Sequence, residues 1–129
     1  MAGELGVRWR GDAPGVALAD DAMPGALWFP GGELNYAEHA LAGAGTVVAR
    51  SQTRGPVTLT AADLAAQVAR AAAGLRRLGV QRGDRVAAYA PNIPETLVAF
   101  LAAASLGAVW SSCAPEFGTR SVVDRFGQI

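Results

Sequence analysis

Residues Arg85 to Ser112 read RVAAYAPNIPETLVAFLAAASLGAVWSS. Arg85 to Ala90 is a short apolar run of strand length, and it predicts a strand buried on both faces. Pro91-Asn92-Ile93-Pro94 stops it. Pro94 suits the first position of a helix, where the N–H it lacks would go unbonded anyway, and Glu95 complements the positive end of that helix. Leu97 to Ala104 is apolar all round, which predicts a deeply buried helix. Gly107 ends that helix, and Ala108 to Ser112 is a second apolar strand. Two strands joined by a helix predict a parallel pair with a crossover between them.

The flanks extend the pattern. Upstream, Thr60-Ala61-Ala62-Asp63 is a capping box in its Asp variant. Leu64, Val68, Ala71, Ala72, Leu75 and Leu78 then recur at helical spacing. Arg76 and Arg77 complement the negative end of that helix, and Gly79 suits the left-handed residue that closes it. Gln81 to Asp84 is a turn. Val57 to Thr60, set off by Gly55-Pro56, and Thr46 to Ala49 are strand candidates. Leu34 to Leu41 predicts a short helix capped by Asn35 or a neighbour. Downstream, Thr119 or Ser121 would cap a last helix over Val122 to Phe126. Residues 1–32 are rich in Gly, Ala, Asp and Pro and read as a loop-rich start.

From Val57 onward the order is strand, helix, strand, helix, strand, helix. The expected fold class is α/β, a partial parallel sheet with covering helices and right-handed crossovers. Such sheets bind ligands at the carboxyl ends of their strands, here after Ala90 and after Ser112.

Composition excludes several functions. The chain has 129 residues, 51% of them hydrophobic and 17% charged, with eleven cations against eleven anions. All the cations are arginine, there is no lysine, and alanine contributes 28 residues. A neutral apolar chain lacks the clustered surplus of cations that nucleic-acid binding needs, and it is too hydrophobic to be intrinsically disordered. Without lysine there is no Schiff base, lysine general base or Walker-type phosphate lysine. The single cysteine, Cys113, rules out an internal disulfide. Thr96 to Trp110 is uncharged but shorter than the roughly 20 residues a membrane span needs. A cytoplasmic protein without a membrane partner is the expectation.

Few residues present chemistry by themselves. Gly43-Ala44-Gly45 lacks a third glycine and follows a helix, so it is not a dinucleotide fingerprint. His39 and Glu38 are sequence neighbours about 100° apart on a helix, which sets them on different faces and makes His39 a surface or capping residue. Cys113 reads as buried and structural, and Trp110 as core. Asp84 and Arg85 belong to a turn, and Glu116 is a loop charge. Phe117, beside Gly118 in the loop after a strand, occupies a ligand-facing place in this architecture.

Three strings add a resemblance. Trp28 to Glu38, WFPGGELNYAE, is similar to the element that opens acetyl-CoA synthetase-like ligases. Gly79 to Val86, GVQRGDRV, followed by Pro91-Asn92-Ile93-Pro94-Glu95, resembles a run of the adenylate-forming superfamily. Ala104 to Gly118, ASLGAVWSSCAPEFG, resembles the acetoacetate–CoA ligases; plain acetate enzymes carry a glycine-rich string there. Asp124 to Ile129 continues that match. Ala61 departs from it, since relatives often carry an aromatic after the capping threonine.

The resemblance implies an acid–thiol ligase that uses ATP, Mg²⁺, acetoacetate and CoA. It implies that this chain corresponds to the N-terminal portion of such an enzyme, because the phosphate loop and the two lysines of the family have no counterpart here. No cofactor is then expected to bind tightly to this chain alone, nor any catalytic or metal-ligating residue to lie in it. The implied division is a loose segment at 1–22, an acetyl-CoA-synthetase-type element at 23–54, and the start of an AMP-binding domain at 55–129. By resemblance, Phe117 and Gly118 fall in a loop near the CoA channel. Two other readings compete with the ligase. A stand-alone interaction module would use the open sheet edge for a partner or for self-association. A small Rossmann-like nucleotide binder is disfavoured by the missing fingerprint.

Overall fold

The computed structural model describes residues 6–12, 14, 15, 18–20 and 22–129; the rest of the segment read as a loose start lies outside the described residues. Ten elements follow in order: β1 (Leu18–Asp20), β2 (Leu27–Trp28), α1 (Tyr36–Ala42), β3 (Val47–Ala49), β4 (Val57–Leu59), α2 (Ala61–Arg77), β5 (Arg85–Tyr89), α3 (Pro94–Ser105), β6 (Val109–Cys113) and α4 (Thr119–Phe126).

The central unit is the expected one. β5 and β6 pair in parallel, with Arg85 opposite Val109 and Tyr89 opposite Cys113, and α3 crosses between them. Pro94 stands at the first position of α3, as its missing N–H allows. The strands differ from expectation in burial. Along β5 half-buried and exposed residues alternate, Arg85, Ala87 and Tyr89 being the exposed ones. That alternation marks a strand covered on one face, not two.

The strand nearer the N-terminus departs further. β4 does not join the parallel sheet. It pairs antiparallel with β3, Val48 opposite Thr58. The short connection between them favours a local antiparallel partner, since a parallel neighbour requires a long crossover. Residues 18–28, read as loop, hold a second small antiparallel pair, Leu18 opposite Trp28.

Both long helices end in the same way. Gly79 donates to the Arg76 carbonyl and Val80 to that of Leu75; Gly107 donates to Ala104 and Ala108 to Ala103. These are two Schellman motifs, and they need a left-handed residue just past the helix. Gly79 (φ 90°) and Gly107 (φ 72°) supply it. At its start α2 carries the complete capping box: the Thr60 hydroxyl accepts from Asp63 N–H, and the Asp63 carboxylate accepts from Thr60 N–H. α4 corrects the sequence reading. It begins at Thr119 with Gly118 as its cap and no side-chain capping bond. The chain enters the helix one residue ahead of Thr119, so both hydroxyls offered as caps lie inside the first turn.

Leu64, Val68 and Ala72 of α2 meet Val98, Leu101 and Ala102 of α3, and Ala37 of α1 closes the cluster. The residues from α2 are spaced four apart, the repeat that lines one helix face. Leu78, the C-cap of α2, falls outside this cluster and is 81% exposed. In front of α1, Gly32 donates to the Phe29 carbonyl across Pro30-Gly31, with Gly31 at φ 76°. A Cβ on Gly32 would stand 2.6 Å from Pro14 Cγ and 2.8 Å from Trp9, so only glycine lets the N-terminal segment lie there.

Candidate functional site

The carboxyl ends of β5 and β6 sit side by side. Ala90 N–H donates to the Cys113 carbonyl at 3.1 Å, extending the ladder by one step beyond β5. After β5, Pro91 to Ile93 turns tightly into α3, and the Thr96 hydroxyl donates to the Pro91 carbonyl at 2.7 Å. After β6, residues Ala114 to Gly118 form a second turn, closed by Phe117 N–H donating to the Ala114 carbonyl at 3.1 Å.

Two side chains from outside hold this second turn. The Tyr89 hydroxyl, at the end of β5, lies 2.7 Å from the Pro115 carbonyl and 2.8 Å from the Phe117 carbonyl. The Arg125 guanidinium of α4 stands 4.4 Å over the Phe117 ring, a cation–π contact. Phe117 is half-buried and Gly118 exposed. A Cβ on Gly118 would meet no atom within 4 Å, so open space adjoins the turn at the start of α4. Glu116 is exposed.

On the other side of the strand ends, Arg54 grips Glu95 with both nitrogens, at 2.9 and 3.0 Å. The Arg54 hydrogen bond holds the Glu95 carboxyl below its usual range. Both side chains are substantially exposed, so the pair fixes geometry more than it adds stability.

A cleft of about 820 Å³ lies at the opposite end of the sheet, where Arg82 and Gly107 precede the strands. There Arg82 pairs with Glu33 at 2.8 and 3.4 Å. Three arginines line the cleft, but two helix C-termini, those of α2 and α3, also end on it. Arginines in that position answer the negative ends of the helices.

The remaining candidates have structural roles. His39 Nε2 accepts from Arg8 N–H at 2.8 Å. Its Nδ1 lies 3.0 Å from the Asn35 carbonyl and so donates to it. Both ring nitrogens serve backbone groups, as a capping histidine should. Glu38 pairs with Arg10 instead. Cys113 is buried. Trp110 lies edge-on to Phe100 at 6.1 Å, and Phe100 in turn meets Tyr36. Gly43 is the C-cap of α1, and Asp84 accepts from Gln81 N–H within its turn. The residue sequence reasoning missed is Tyr89. Its signal was faint: a polar-tipped aromatic following the small and aliphatic Val86, Ala87 and Ala88.

A parallel strand pair joined by a helix, with structured turns at its carboxyl ends, defines an α/β protein. More narrowly, the chain belongs to the AMP-binding enzyme family, whose model matches residues 37–128. It is 46% identical over 123 residues to the acetoacetyl-coenzyme A synthetase of Rhizobium meliloti (strain 1021), covering 92% of this chain and 19% of that protein. It is 47% identical over 107 residues to the acetoacetyl-CoA synthetase of Mus musculus, covering 79% and 16%. Its fold superposes on the acetoacetyl-CoA synthetase from Streptomyces lividans with a TM-score of 0.91 at 49% identity, over 99% of this chain and 21% of that one. The chain thus spans about a fifth of the length of the relatives it matches.

The family implies ATP and Mg²⁺. Among the described residues no three His, Cys, Asp or Glu come together to hold a metal ion, and the chain has no lysine to meet a phosphate. Among them, no helix is long and apolar enough to cross a membrane.

Proposed function

We propose that this chain supplies the N-terminal portion of the large domain of an acetoacetate–CoA ligase, which converts ATP, acetoacetate and CoA to acetoacetyl-CoA, AMP and pyrophosphate. The observation that carries the reading is the likeness to the Streptomyces lividans enzyme along nearly the whole chain. The division at 1–22, 23–54 and 55–129 and a cytoplasmic location belong to the same reading. So does inactivity of the 129 residues alone, since adenylation needs cations at the phosphates and this chain brings no lysine.

Within that enzyme, Phe117 and Gly118 line the channel for CoA. Three features support this. The turn stands at a strand's carboxyl end, Gly118 leaves space beside it, and the first N–H groups of α4 carry no side-chain cap. Free backbone donors at a helix start suit a phosphate-bearing ligand. Acetoacetate-dependent ATP–pyrophosphate exchange tests the first claim. The native polypeptide, several times heavier than 13.2 kDa on a blot, is expected to catalyse it, and the purified 129-residue chain is not. Exchange by the short chain alone, or a native band at its mass, overturns the reading.

A second reading has one observation in its favour. Among the described residues β5 and β6 pair only with each other, which leaves an unpaired edge on each strand. Such edges invite a partner or a second copy. Gel filtration separates the readings: a folded monomer that captures no partner counts against an interaction module.

A further inference from the structure

The Tyr89 hydroxyl has one proton and faces two carbonyls. Pro115 and Phe117 direct their oxygens to within 2.7 and 2.8 Å of it. Two carbonyl oxygens that close to one atom repel each other unless a donor lies between them. The hydroxyl is that donor, shared as a three-centre bond. Tyr89 belongs to β5 and is 55% exposed, so its ring is not an anchor of the core. Its backbone, by contrast, is fixed by the parallel ladder to Cys113, the residue just before the turn. A rigid strand thus reaches over its neighbour and sets the shape of the turn that follows.

We propose that Tyr89 is a positioning residue for CoA: by drawing the Pro115 and Phe117 carbonyls together it places Gly118 and the open start of α4 where the cofactor passes. This rests on the reading of Phe117 and Gly118 as channel residues. Tyr89 touches neither the acyl group nor the adenylate in this role. Its removal therefore affects the thiol-dependent half of the reaction and spares the first half.

The test uses the complete ligase that carries this chain. Tyr89→Phe keeps the ring and deletes only the hydroxyl. Its expected effect is a rise of about five- to tenfold in the KM for CoA, from the loss of one hydrogen bond. kcat and the acetoacetate-dependent ATP–pyrophosphate exchange, which needs no CoA, stay within about twofold of the parent. An unchanged KM for CoA overturns the proposal. So does a fall in exchange in step with thioester formation, which would make the hydroxyl a general structural support. Gly118→Val tests the underlying reading separately. Its backbone at φ −62°, ψ 156° accepts a side chain, and a Cβ there meets no atom of the chain within 4 Å. If Gly118→Val raises the KM for CoA and Tyr89→Phe does not, the positioning role alone fails. If neither does, the channel reading fails and the proposal with it.

Discussion

The side-chain amide of Asn35 donates to the carbonyl of Ser105 at 3.1 Å, joining the start of α1 to the end of α3 across 70 positions of sequence. The same side chain accepts from Glu38 N–H at 3.2 Å and so caps α1. One residue thus answers a free donor at one helix terminus and a free acceptor at another. Asn35→Ala is expected to cost about 2 kcal/mol in urea unfolding, about one for the cap and one for the bond to Ser105. Asn35→Asp keeps the cap but sets a carboxylate against helix carbonyls, so it should lose at least the second part. A fully stable Asn35→Asp variant would show that the Ser105 bond adds nothing.

The capping box gives a second expectation. Thr60→Ala removes the acceptor for Asp63 N–H and is expected to destabilise the fold by about 1 kcal/mol, a drop of roughly 4 °C in Tm for a chain of this size. Thr60→Ser retains the oxygen and should recover most of the loss. Thermal melts of the three proteins decide it.

Acid should weaken the fold with a definite sign. Asp63 is held below its usual range by the Thr60 hydroxyl and then the Thr60 N–H, Glu33 by the hydrogen bond and charge of Arg82, and Glu95 by the hydrogen bond from Arg54. A carboxyl with a lowered folded value binds its proton more readily when unfolded. Its contribution is present above the unfolded value, about pH 4, and lost as pH falls through the folded one. Tm should therefore decline below about pH 4, and the decline should be shallower in Asp63→Asn. All three groups are solvent-exposed, so added salt should shrink the Glu33 and Glu95 parts. An acid limb identical in Asp63→Asn removes Asp63 from the account.

Core and stripe should separate cleanly. Leu101 is 3% exposed and Leu78 is 81% exposed, although both are leucines in helical apolar runs. Leu101→Ala opens a cavity between α2 and α3 and is expected to cost about 3 kcal/mol. Leu78→Ala should stay within about 0.5 kcal/mol of the parent. Equal losses at the two positions would contradict the packing described for α2.

Much of this was legible in the sequence because it is local. The capping box at Thr60, the proline at the start of α3 and the glycines at 79 and 107 answer to neighbours within a few residues, and the structure has each where the sequence set it. Strand partners are not local. Val57 to Leu59 looks the same whether it pairs with β3 or with β5, and only the short link to Val47 to Ala49 tips it into a hairpin. Exposure of one face of β5 was likewise hidden, since alanines suit either side. At the site, the place of Phe117 after a strand could be read directly. The reach of Tyr89 over the turn and of Arg125 over the ring could not, because both are contacts through space between elements whose order alone is written in the chain.

Cys113 ends β6 with its thiol buried and its carbonyl bonded to Ala90 N–H, at the root of the turn that Tyr89 holds. It is also the sole sulfhydryl in the chain. A buried thiol reacts with a reagent only when its surroundings part. This one residue is therefore a natural clock. Its labelling rate counts how often the carboxyl end of the sheet opens, and loosening the Tyr89 clasp should make the clock run faster.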